Sequence, residues 1–457
     1  MIGDGAIREI AHRVFAASEA DETEVVFFGL EERLTRFANN VIHQNVAERD
    51  AVVVVRAAVG KCIGVATTND LSDAGLERVA EAATAACGGD PRGRPEDPDY
   101  PGLPEPMAVD PVAAFDERTA AYAPADRARD VGQVCRRAEE AGVSASGAFR
   151  TAVHEFAVVN SLGLFAYHPA TIADLTTVVM TDDSAGYAAG ASWKVEEVDV
   201  VGLGREAIRR ALRGRNPQPL EPGVYPVVLE PHAVGDIVSF LAYMAGGMMV
   251  GEGRSWMTGR QGRRLMSPLV SIWDDGRDPA GWPLPFDFEG TPRRRVEIVR
   301  EGVVGDAVYD RRWAGKAGKT PTGHALPVVN PFSPWLNAST YGPLSLHPAM
   351  GAGEHTVEEM IASTDRGLYV TRFHYTRVVH PREAVITGMT RDGTFLIENG
   401  EITTPVQNLR FIQSYVEALA RVEMVGREVH RERPGFSVVR APALKLSAFH
   451  FTGATTF

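Results

Sequence analysis

His232 and Asp236 stand four residues apart, just after the strand-like run 224–229 and inside a segment whose apolar residues recur at helical spacing. On a helix that separation puts both side chains on one face. An imidazole and a carboxylate so placed can ligate a cation or pass a proton, which makes the pair a candidate for metal or acid/base chemistry. A catalytic metal takes about three protein ligands, and no third ligand stands at a useful spacing nearby. The pair therefore reads first as the polar opening turn of a helix.

Other residues invite the same weighing. Arg254, Arg260, Arg263 and Arg264 fall close together and could anchor a substrate carboxylate, although charge runs are usually solvated faces. Asp274 and Asp275 could hold a cation or do acid/base work, but they follow Ile272-Trp273 and suit the end of a strand and a turn. Asp287 and Glu289, before Gly290, read in the same way. His154, His355, His374 and His380 are scattered without ligand spacing. Gly246, Gly247, Gly251 and Gly253 match no phosphate-loop pattern. There is no GxSxG elbow, and no neighbour in sequence would activate Ser161 or Ser255.

Composition narrows the function classes. The 457 residues are 44% apolar and 23% charged, which is ordinary globular composition and long enough for two or three domains. Lys and Arg number 47 against 59 Asp and Glu, a net charge of −12, which speaks against general binding to a phosphate backbone. The three cysteines, Cys62, Cys87 and Cys135, are widely spaced and odd in number, so a disulfide framework is not expected. The start of the chain lacks the layout of a signal peptide. The weakly polar run 237–250 is shorter than the roughly 18 residues of a membrane span. A soluble cytoplasmic protein is expected.

The elements that would position these residues follow from periodicity. Helices are expected over 4–20, 74–87, 126–141, 200–214 and 233–245. Strands are expected over 24–28, 34–42, 51–55, 146–156, 164–168, 171–180 and 224–229. Six prolines in 88–106 mark an extended connector. Beyond 250, Gly or Pro recurs every 8 to 12 residues, and Asn399-Gly400 follows a strand-like run, which suggests antiparallel or barrel-like sheet. No short-period internal repeat is visible. The expected fold is α+β. Residues 1–220 form an N-terminal α/β region with a mixed sheet, and residues 221–457 form a β-rich C-terminal domain.

The chain resembles the TldD/PmbA family, the so-called gyrase modulators regarded as peptidases. The resemblance rests on Gly64-Val65-Ala66-Thr67-Thr68-Asn69-Asp70, Val159-Asn160-Ser161-Leu162-Gly163 and Ser255-Trp256-Met257-Thr258-Gly259. It continues through Ile272-Trp273-Asp274-Asp275, Phe286-Asp287-Phe288-Glu289-Gly290 and Asp392-Gly393-Thr394, and covers most of the chain. In the catalytic branch the strand–helix junction carries HExxxH, and a Cys near the C-terminus completes the metal site. Alignment on Ala233-Val234-Gly235 puts Pro231 at the first His, His232 at the Glu and Asp236 at the second His. The stretch Ala441-Pro442-Ala443-Leu444-Lys445-Leu446 contains no Cys. The resemblance is therefore closest to the PmbA (TldE) branch, which lacks the motif.

That resemblance implies a metal-free subunit that pairs with a metal-bearing TldD-like chain, helps enclose a substrate chamber and acts on unfolded peptides. It implies a dimer, with a TldD-like partner or with a second copy. It places Asp287 and Glu289 near the chamber and makes them candidate substrate contacts beside Arg254 and Arg260. No cofactor is expected, and zinc enters only if the site at 231–236 has been rebuilt. Two rival readings stand beside it. One is a homodimeric enzyme, non-proteolytic or cleaving an amide or related bond in a small metabolite of specialised biosynthesis, with a rebuilt site that includes His232 and Asp236. The other is a protein-binding modulator without catalysis. Neither nucleic acid nor membrane is an expected partner.

Overall fold

The computed structural model describes residues 1–88, 96–433 and 437–454. Its first half is one six-stranded sheet in the order β3-β2-β1-β4-β5-β6. The strands are β1 (Glu22–Ala38), β2 (Val41–Val59), β3 (Cys62–Thr68), β4 (Ser144–Asn160), β5 (Phe165–Met180) and β6 (Ala185–Ser192). Every pair is antiparallel, so the mixed pairing expected of this half is not found there. Helices Asp4–Ala17 and Asp73–Gly88 accompany the first three strands, and Pro124–Glu140 and Val200–Arg213 accompany the second three. The helix–three strands–helix order thus occurs twice about the central β1–β4 pair, although no repeat is legible in the residues.

Two local differences from expectation have clear causes. Residues 34–42 are not one strand. Asn39 and Asn40 take φ of 50° and 63°, the left-handed geometry of a tight hairpin turn that Asn tolerates, and the chain reverses there. Pro169 does not interrupt β5, because its partner Glu155 lies on a ladder that continues on either side. Part of the proline-rich connector, including Pro91 and Pro95, lies outside the described residues. The rest has no core of its own. Tyr100 Oη and the Leu103 backbone N–H both donate to Glu22, and Asn160 Nδ2 donates to the Pro104 carbonyl.

The second half contains an eleven-stranded sheet. Five of its strands form a closed ring: β7 (Gly223–Leu229), β12 (Arg366–His380), β13 (Val385–Glu398), β15 (Leu409–Ser414) and β17 (Val439–Ala454). The β7–β12 pair is parallel and the rest of the ring is antiparallel, with β17–β7 closing it. The helix Pro231–Tyr243 leaves β7 and packs its buried Val234, Ile237, Val238 and Leu241 into the core of this domain. Along the barrel rim, β8 (Ile272–Asp274), β9 (Val296–Arg300), β10 (Val303–Val304) and β11 (Pro348–Met350) extend the sheet. β14 (Glu401–Pro405) pairs with β13, and β16 (Val422–Glu432) pairs with β17. The hairpin expected at Asn399-Gly400 joins β13 to β14.

The halves share a core. Phe28 of β1 stacks on Phe288 at 5.4 Å, and Phe156 of β4 meets Trp282 edge-on at 6.1 Å. Trp282 Nε1 also donates to the Thr171 carbonyl of β5. Among the described residues no helix is long and apolar enough to cross a membrane.

Candidate functional site

The junction between β7 and the helix Pro231–Tyr243 is built from polar residues gathered from four distant segments. Pro231 occupies the first helical position, where its fixed φ fits and its missing N–H costs nothing. Glu230, just before it, accepts hydrogen bonds from Arg210 and from the Tyr369 hydroxyl. His232 is 8% exposed, and its Nδ1 lies 3.0 Å from Glu432 Oε2 on β16. Glu432 Oε1 accepts from the Tyr187 hydroxyl at 2.7 Å. Burial works against the charge on Glu432. The His232 partner and the Tyr187 hydroxyl outweigh it and hold the carboxyl down at about 2.

His430, two residues before Glu432 and on the same side of β16, stacks edge-on against His232 with ring centroids 4.7 Å apart. Its Nε2 donates to the Ala189 carbonyl at 2.6 Å. Burial, and then the neighbouring His232, push its pKa down to about 4, so it is neutral at pH 7. Arg372 lies 3.9 Å over the Tyr187 ring, and its Nε donates to Asp392 at 2.5 Å. Asp392 in turn lines a cavity of about 710 Å³ between the β5–β6 turn and β13, together with Asp183, Ser184, Asn216 and Gln218. A run of polar contacts thus leads from the cavity wall to the helix start.

His232 and Asp236 do not converge on a shared partner. Asp236 Oδ1 accepts from the Tyr415 hydroxyl at 2.6 Å and Oδ2 from Thr376 Oγ1 at 2.8 Å. Burial raises its carboxyl to about 6 despite those two donors. The stretch 441–446 does come alongside: Ala441 pairs with His430 and Leu444 with Leu229. It brings apolar side chains and Lys445, whose ammonium turns to Ser363. The donor set does not fit a zinc ion. Proline has no ligand atom, His232 Nδ1 and both Asp236 oxygens are engaged, and the strand at 441–446 offers no thiolate. Among the described residues no group of three or more His, Cys, Asp or Glu has the arrangement to hold a metal.

The remaining candidates lie apart from this junction. Arg254 pairs with Glu252, and Arg260 Nη2 meets Glu383 Oε1 at 2.5 Å. Asp287 is fully buried, and its oxygens accept from the backbone N–H groups of Glu289, Thr291 and Ala325. Burial, then the charge of Glu289, raises its carboxyl to about 7. Glu289 accepts from the Arg311 backbone N–H at 3.3 Å and lies 4.0 Å from Arg56. Asp274 is also fully buried, accepting from His324, Ser345 and the His347 backbone. These two carboxylates organise loops. Sequence reasoning missed Glu432, His430, Tyr187 and Arg372. The one signal available was the i, i+2 spacing of His430 and Glu432, which puts both on one face of a strand.

Comparison with known proteins matches the whole architecture. Residues 23–87, 104–215 and 222–453 match profiles described as PmbA/TldA metallopeptidase domain 1, central domain and C-terminal domain. The Metalloprotease PmbA homolog of Haemophilus influenzae is 24% identical over 456 residues, covering 96% of this chain and 94% of that protein. The Metalloprotease TldD homolog of the same organism is 27% identical over 242 residues, 52% of this chain, and that match spans about half (48%) of the relative's length. Among solved structures, TldE from Thermococcus kodakarensis superposes with a TM-score of 0.87 at 20% identity, over 98% of this chain and all of that one (100%).

Proposed function

The chain belongs to the PmbA/TldD metallopeptidase family, and from that premise we propose that it is a metal-free subunit of a two-chain peptidase. The observation that carries this reading is the helix start. Where the family's resemblance calls for a metal-binding imidazole stands Pro231, and His232 is committed to Glu432. A partner chain of the same family then supplies the metal and the activated water. This chain supplies walls. Its cavity is rich in hydroxyl, amide and carboxylate groups, as Thr181, Ser184, Asn216, Gln218 and Asp392 illustrate, which suits the main chain of an extended peptide. The polar run from Asp392 through Arg372, Tyr187 and Glu432 to His232 stiffens one side of that wall.

The test begins with the purified chain alone. Elemental analysis should find only substoichiometric zinc, and an unfolded casein-derived peptide should stay intact. Mixing with a relative that carries the HExxxH helix should give a one-to-one complex that cleaves the peptide and is silenced by a chelator. Stoichiometric zinc together with chelator-sensitive cleavage by the isolated chain would refute the proposal.

A further inference from the structure

The outer wall of the barrel differs in charge from the rest of this acidic chain. From Arg372 to Arg391, across β12 and β13, the sequence holds four arginines and two histidines against one carboxylate, Glu383. That carboxylate is taken by Arg260, and Arg372 is matched by Asp392. Strand register shows which of the others share a face. His374 stands opposite Met389, which stands opposite Arg410 of β15. Arg377 stands opposite Thr387, which stands opposite Ile412. Two bulges in β12 turn Tyr375, at φ 52°, and Val379 outward beside these rows.

Tyr375 is 65% exposed, Val379 56% and Ile412 48%, so large apolar groups lie open among cations. Among the described residues Arg377 finds only the Thr376 carbonyl, and neither Arg377 nor Arg410 has an ion-pair partner. Burial, and then the charges of Arg372 and Arg391, press the His374 imidazole towards its neutral form, so the charge of the wall rests on its arginines. Exposed aromatic and aliphatic groups ringed by arginines have the anatomy of a protein–protein interface.

We propose that this wall, centred on Tyr375, Arg377, Arg410 and Ile412, docks a different polypeptide that presents acidic side chains. A second copy of this chain is a poor occupant. A two-fold axis would lay the wall on itself and set arginine against arginine. Nucleic acid is disfavoured by the net charge of −12. The inference rests on the two-chain reading above and adds the face and the charge of the partner. Arg391 of the same wall also lines the 710 Å³ cavity, so a chain seated here borders that cavity.

The experiment titrates the purified chain with the family member from the same genome that carries HExxxH, measuring Kd by calorimetry and stoichiometry by light scattering. The wild type should bind one-to-one, weakening about tenfold or more as salt rises from low to high ionic strength. Arg377→Glu with Arg410→Glu should weaken binding about a hundredfold. Ile412→Glu should also weaken it, and the neutral pair Arg377→Gln with Arg410→Gln should fall between. Arg136→Glu with Arg137→Glu, an equal charge change on the exposed side of the helix Pro124–Glu140, should bind as wild type. Melting curves check that each variant is folded. A complex unmoved by the reversal at 377 and 410 would overturn the docking wall and leave the two-chain reading standing. No complex at all would overturn that reading and remove the occupant. Self-association, or binding of a duplex oligonucleotide, abolished by the reversal would overturn the choice of partner.

Discussion

His232 Nδ1 lies 3.0 Å from Glu432 Oε2, so the first turn of the helix after β7 is tied to the end of β16 by an imidazole–carboxylate bond spanning 200 residues of sequence. The bond fastens two segments of the same domain together, with Tyr187 of β6 holding the other carboxylate oxygen.

Replacing Glu432 by Gln should cost about 2 kcal/mol at neutral pH, the scale of a hydrogen bond to a charged group. The folded carboxyl is held near 2, below its ordinary 4.5, so its contribution is full above about 4.5 and fades as pH falls towards 2. Denaturant unfolding of wild type and variant should therefore differ at pH 7 and converge in acid. A gap that stays constant down to pH 2 would contradict the assignment.

Asp236 should behave in the opposite sense. Its folded carboxyl titrates near 6 against an ordinary 3.8, so the folded state holds its proton more tightly and the wild type loses stability as pH rises through that interval. The loss should be about 1–3 kcal/mol. Asp236→Asn has no proton to lose. The variant should gain on the wild type between pH 4 and pH 6 and keep that advantage above, as read from melting temperatures across the range.

Gly64 is required by a close approach rather than by its dihedrals. A Cβ there would sit 2.0 Å from the Ala83 carbonyl oxygen and 2.9 Å from Ala86 Cβ, where the helix Asp73–Gly88 lies against β3. Gly64→Ala should force strand and helix apart and cost about 1–3 kcal/mol. A cost below the error of chemical denaturation would show that this packing relaxes freely.

The seam between the two halves should be apolar in its energetics. Phe28→Ala removes a ring stacked on Phe288 and edge-on to Phe156, and should cost about 3–5 kcal/mol. Asp99→Ala removes a half-buried partner of Lys316 and Arg312 on the connector, and should leave the melting temperature unchanged. Limited proteolysis should find the halves loosened in the first variant only.

Much of the architecture was legible in the residues. Apolar spacing marked the helices Asp4–Ala17, Asp73–Gly88, Pro124–Glu140, Val200–Arg213 and Pro231–Tyr243 to within a few residues, because a helix that buries one face must repeat its apolar groups near every 3.6 positions. β-branched runs marked stretches of the first-half strands and β7 but not β12, β16 or β17, and Asn399-Gly400 marked a hairpin, because those two residues favour the backbone geometry that the turn needs. That residues 231–236 do not spell HExxxH was legible too, since a motif is read directly from residue type. The hairpin at Asn39-Asn40 was not, because an Asn pair without glycine carries the same signal more faintly.

What the residues could not disclose was company. His232 and Asp236 share a helix spacing, yet one faces Glu432 and the other Tyr415 and Thr376, because each pairs with whichever element the fold brings opposite it. The barrel closes only when β17, last in the chain, returns to β7, and the cation-lined wall exists only once β12, β13 and β15 are in register. Pairing of distant strands depends on the summed burial of the whole domain, and no local window contains that sum.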